Sequence, residues 1–92
     1  MKLSIGDIVV STAGRDKNAY YLVIGINETR VLLVNGKNAF TDKPKSKNFK
    51  HIKKVFGASL KDTALKINGG QPTGKEKLFR AILEAVQKNR RI

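Results

Sequence analysis

The side chains of this sequence that could do chemistry are mostly cations, and they fall in two groups. The first is a tight polar turn, Gly14-Arg15-Asp16-Lys17-Asn18, which follows the short apolar stretch Ile8–Ala13. The second begins about 25 residues later as Lys43-Pro44-Lys45-Ser46-Lys47-Asn48-Phe49-Lys50-His51-Ile52-Lys53-Lys54. A guanidinium grips a phosphate through two parallel hydrogen bonds, whereas an ammonium acts as a point charge. Lysine dominates residues 36–56, which favours contact with an anionic backbone over reading of base edges. The candidate contacts are Arg15, Lys17 and Asn18 on the turn, and Lys43, Lys45, Lys47, Asn48, Lys50, His51, Lys53 and Lys54 in the basic run. Gly14 suits a sharp exit from a strand, and Pro44 stiffens the chain ahead of Lys45, which lowers the ordering cost of binding.

The whole chain has 92 residues, enough for one small core. Nineteen Lys and Arg against seven Asp and Glu give a net charge of +12 and a pI of about 10.3. Residues 1–35 carry net +1, residues 36–56 net +6 and residues 57–92 net +5, so half the surplus lies in 21 residues. Clustering of that kind is the electrostatic footprint of a polyanion partner more than of a generally soluble surface.

Catalysis finds little support. The single histidine, His51, lies in a lysine run with no nucleophile–acid grouping near it, and the seven carboxylates are scattered. There is no cysteine, so disulfides and thiolate metal sites are excluded and a reducing compartment is natural. Gly69-Gly70-Gln71-Pro72-Thr73-Gly74-Lys75 lacks the glycine spacing and following Ser/Thr of a phosphate loop. The expectation is a protein that is not an enzyme and uses no cofactor and no metal. No signal-peptide pattern opens the sequence, and its longest apolar run, Ala19–Ile26, is too short to span a bilayer, so a cytoplasmic location without membrane contact is expected.

Residues 1–56 read as β. The expected strands are 7–13, 19–27, 30–35, 38–41 and 48–56, rich in Val, Ile, Tyr, Phe and Thr and separated by Gly, Asn and Asp. Asn35-Gly36 is the strongest hairpin signal. Five short strands with tight turns predict a small closed or nearly closed barrel. Tyr20-Tyr21-Leu22-Val23-Ile24 is apolar on both faces, so that strand needs cover outside the barrel as well as inside.

Residues 57–92 read as helical. A short helix capped by Ser59 ends near Ile67, Gly69-Gly70-Gln71-Pro72 breaks the chain, and a longer helix over 73–91 follows a capping-box pattern at Thr73 and Glu76. Leu78, Phe79, Ile82, Leu83 and Val86 form one apolar stripe on it, expected to cover the exposed side of the Tyr20–Ile24 strand. Tyr20, Tyr21, Phe40 and Phe49 are expected in packing, and Asp16 is expected to cap its own turn.

The strand–glycine–basic turn–strand unit from Ile5 to Arg30, with Gly14 as its central glycine, resembles a KOW motif. The continuation through Lys43-Pro44-Lys45-Ser46-Lys47-Asn48-Phe49-Lys50-His51 is similar to a segment of the small bacterial KOW-domain proteins related to archaeal and eukaryotic large-subunit ribosomal protein fourteen. The resemblance covers residues 4–55 well and the helical tail more weakly. It departs from many KOW turns at Asn18, where a second glycine is usual; asparagine also tolerates the left-handed conformation. The resemblance implies an SH3-like barrel of about five strands over residues 1–56, with residues 57–92 as a helical extension packed on it. It also implies binding of structured RNA, as on a ribosome, by a protein that is monomeric when free. The alternatives are a protein-interaction module of the transcription or translation machinery, and non-specific DNA binding.

Overall fold

The structure, a computed structural model, describes residues 2–57, 60–71 and 73–90. Five strands, β1 (Ile8–Ser11), β2 (Tyr20–Ile26), β3 (Arg30–Val34), β4 (Lys45–Asn48) and β5 (Ile52–Phe56), precede two helices, α1 (Lys61–Asn68) and α2 (Lys75–Arg90). The strands pair antiparallel in the order β4-β3-β2-β1-β5. A single 3-10 turn, Phe49–His51, joins the two edge strands, so the sheet curls into a small SH3-like barrel followed by C-terminal helices. That is the expected fold class.

β2 is the spine of the molecule because it has two apolar faces. On the inner face Tyr21 and Val23 pack with Val9, Val31, Leu33, Ala39 and Ile52 in the barrel core. On the outer face Leu22 and Ile24, with Ile8 and Val34, meet Ala64 and Ile67 of α1 and Leu78, Ile82 and Val86 of α2. The expected helical cover is therefore present in Leu78, Ile82 and Val86, whereas Phe79 and Leu83 of the expected stripe are half-buried outside this cluster; Tyr20 packs against the cover while Tyr21 turns inward. Each large apolar side chain withdrawn from water in this way contributes roughly 1.5–3 kcal/mol, so the outer layer is part of the fold's stability and not an ornament on it.

Three expected elements differ. The strand over 38–41 is absent: Phe40 makes only an isolated bridge to Lys43, and the fourth strand is Lys45–Asn48, inside the basic run. Asn35-Gly36 does not close a two-residue hairpin. The Asn35 carboxamide oxygen instead accepts the N–H groups of Lys37, Asn38 and Ala39 at 2.9, 2.7 and 3.1 Å, building a wide turn. The last strand begins at Ile52, because Asn48 caps the 3-10 turn by accepting the Lys50 N–H at 2.9 Å. In α1, Leu60 occupies the N-cap without a side-chain cap bond; the expected cap Ser59 lies outside the described residues, as does Arg91 at the far end of α2. Among the described residues no helix is long and apolar enough to cross a membrane.

Candidate nucleic-acid interface

β1 ends at Ser11 and the chain turns back through Gly14 and Asn18, both left-handed at φ 88° and 75°. Asparagine at position 18 thus does what a glycine would do there. The Asn18 N–H reaches the Ser11 carbonyl at 2.8 Å and the Ala19 N–H reaches the Asp16 carbonyl at 2.9 Å. This folding turns Arg15, Lys17 and Asn18 into solvent and Asp16 into the protein.

Asp16 does not cap its own turn. Its carboxylate is the centre of a buried polar cluster: Oδ1 accepts from Ser11 Oγ at 2.9 Å and from Lys47 Nζ at 2.8 Å. Oδ2 accepts from the Tyr21 hydroxyl at 2.6 Å and from Lys45 Nζ at 3.0 Å. Burial alone would raise this carboxyl group. The hydrogen bonds from Lys47, Tyr21, Lys45 and Ser11 outweigh burial and hold it well below the usual carboxylate range. Burial, and then the Asp16 carboxylate it donates to, push the Tyr21 hydroxyl well above the ordinary phenol range.

The two lysines differ. Lys47 Nζ also donates to Ser11 Oγ and to the Ala13 carbonyl, both at 2.7 Å, so its three donors have three partners and its side chain is only 11% exposed. The basic run therefore does not present Lys47 to solvent as its loop-like sequence suggests; Lys47 ties β4 to the first turn. The side chain of Lys45 is 37% exposed.

Above this cluster lies an open groove of about 420 Å³, walled by Ala13 and Gly14 on one side and floored by Lys45–Asn48. Arg30 and His51 complete it. Arg30 comes from β3, opposite Asn48 in the pairing register. Its Nε donates to Ser46 Oγ at 2.9 Å and its Nη2 to the Ser46 carbonyl at 3.3 Å, which fixes the guanidinium along the groove. Gly14 lines the wall where an added Cβ would stand 3.5 Å from Asp16 Oδ1 and 3.8 Å from Lys47 Nζ. Space is therefore available, and the positive φ is what demands glycine.

Of the predicted residues, the groove thus gathers Lys45, Lys47, Asn48 and His51. Arg15, Lys17 and Asn18 stand exposed on the adjoining turn, and Lys50 is exposed on the 3-10 turn. Lys43 is exposed ahead of β4; Lys53 and Lys54 lie on β5 opposite Val10 and Val9, with Lys54 Nζ 3.6 Å from Asp7 Oδ2. Arg30 and Ser46 were not among the predicted contacts. Along β3 burial alternates, with Arg30 and Leu32 exposed and Val31 and Leu33 buried, but the residue types Arg30-Val31-Leu32-Leu33 do not alternate, and only a fourth strand placed at 45–48 would have set Arg30 beside the lysines. Compared with known proteins, the chain matches no family model and no curated protein.

Proposed function

We propose that this protein binds structured RNA, contacting its phosphate backbone along the groove between the first turn and β4. The observation that carries this is the convergence of Arg30, Lys45 and His51 on one open groove, beside a turn that exposes Arg15 and Lys17, in a chain of net charge +12. The ligand is an anion with several charges, since the groove's basic side chains come from three separate elements, β3, β4 and the 3-10 turn. Resemblance of the Lys43–His51 segment and the Gly14 turn to the KOW-domain relatives of ribosomal protein fourteen supports ribosomal RNA as the partner, a place in the translation machinery and a cytoplasmic location. In this reading the protein acts by binding, as a monomer.

Hydrophobic exposure on the second helix would favour the alternative, a protein-interaction module; of the apolar stripe there, Leu78, Ile82 and Val86 are buried on the barrel at 1%, 1% and 5% exposure, and Phe79 and Leu83 are half-buried. The test is a charge-matched comparison on an RNA hairpin. Arg30→Ala with Lys50→Ala should lower affinity at least tenfold, whereas Lys66→Ala with Lys77→Ala, equally far from neutrality but on the helices, should lower it less than threefold. Equal losses from the two pairs would mean that overall charge and not the groove holds the RNA.

A further inference from the structure

A second groove adjoins the first and differs in chemistry. It also encloses about 420 Å³, and it shares Arg30 and Ser46 with the basic groove. Its other walls are Ile26 and Leu32, with Asn27 at the end of β2 and Asn68 at the end of α1. Ile26 and Leu32 are 44% and 42% exposed, two of only four large apolar side chains so open among the described residues.

The backbone shapes this pocket. The β2–β3 pairing slips between Val23 and Gly25, so Gly25 comes to lie opposite Leu32. A Cβ on Gly25 would sit 3.2 Å from Leu32 Cδ1, and its absence lets the leucine lie flat across the strand. Bulges of this kind re-aim a side chain near a binding site. Arg30 and Leu32 project from the same face of β3, beside Asn48 and Ser46 of β4, so the charged and apolar parts form one continuous platform.

We infer that this pocket receives an unpaired base of the bound RNA, while Arg30 holds the phosphate at the junction of the two grooves. Among biological polyanions, nucleic acid carries flat apolar groups beside its charges, which is the combination the platform offers. Leu32 and Ile26 would cover the face of the base. The Asn27 carboxamide oxygen is occupied by the Glu28 N–H at 2.6 Å, which leaves its amide N–H groups, together with the Asn68 carboxamide, to meet the base edge. The inference rests on the RNA-binding function proposed above and adds to it a preference for RNA with a bulged or unpaired nucleotide.

The test uses the full chain and two RNA hairpins with one stem sequence, one fully paired and one with a single bulged adenosine, together with a version abasic at the bulge. The bulged RNA should bind about five- to tenfold more tightly than the paired one, the lower part of the range for a stacked base, and the abasic version should lose that advantage. Leu32→Thr removes most of the apolar surface at an exposed strand position where a β-branched residue is well tolerated, and should abolish the preference while leaving affinity for the paired stem within twofold. Asn68→Ala, at an exposed helix end, should reduce the preference and serves if Leu32→Thr melts early. Equal, salt-sensitive affinity for all three RNAs would overturn the base pocket and leave the groove standing. A preference that survives both substitutions would place the base elsewhere and overturn it as well. Failure to bind any RNA would remove the groove's function and the pocket's together, and retention of a protein ligand by Leu32 and Ile26 in its place would identify the patch as a protein-docking surface.

Discussion

Asp16 and Lys47 show how one carboxylate can decide the fate of a basic cluster. A buried ion pair contributes little beyond an apolar equivalent, but removing one partner strands the other. Asp16→Asn leaves the Lys47 ammonium, 11% exposed, without its counter-charge, so the mutant should lose about 3 kcal/mol in urea or thermal unfolding. Lys47→Glu should be worse, because it places a second carboxylate against Asp16, whereas Lys50→Glu on the exposed 3-10 turn should stay within about 0.5 kcal/mol. The pH dependence follows from the direction of the Asp16 shift. A carboxyl group lowered by folding stabilises the native state above its ordinary value of 3.8, and that stability drains away as pH falls below it. Wild-type unfolding free energy should therefore drop between about pH 5 and pH 2, and Asp16→Asn should flatten that part of the curve.

At the scale of elements, what was legible in the sequence is what short-range pattern encodes. Tyr20–Ile24 is apolar at consecutive positions, and a strand so composed must be covered on both sides; the stripe Leu78–Ile82–Val86 is the matching cover, and the two do bury each other. Ile82→Ala should accordingly cost about 3 kcal/mol and lower the melting temperature of the whole barrel in one cooperative step, as followed by far-ultraviolet circular dichroism. β4 was not legible, because Lys45-Ser46-Lys47-Asn48 has neither β-branched residues nor apolar alternation. It is a strand because β3 offers a free edge and because Asp16 neutralises two of its lysines, partners about 30 residues away in the chain. Tertiary pairing overrides propensity here. The same non-local event hid Arg30's place on the groove and the ion pair that ties Lys47 to Asp16.

The molecule as a whole carries its surplus charge unevenly, and part of it is already paired within the fold. With Lys47 saturated by protein partners and Lys45 and Lys54 paired with Asp16 and Asp7, the exposed cations on the turns and strands around the groove include Arg15, Lys17, Arg30, Lys43, Lys50 and Lys53. If about five of them each neutralise one phosphate, the logarithm of the RNA association constant should fall with the logarithm of salt at a slope of roughly −3.5 to −4.5. Titrations of one labelled hairpin between low and physiological salt would measure it, and a slope near zero would exclude backbone contact as the source of affinity. A slope far steeper would draw in the cations of the two helices. Charge alone does not separate RNA from DNA, but shape does. An A-form stem presents 2′-hydroxyls across a wide, shallow minor groove, and the polar floor of Ser46 and Asn48 beside Arg30 is suited to meet them. An RNA hairpin should therefore displace the labelled ligand at lower concentration than a DNA duplex of equal length and sequence. Equal competition would show that the groove tracks phosphates without regard to helix form, and the protein's natural partner would then have to be sought among nucleic acids of either kind.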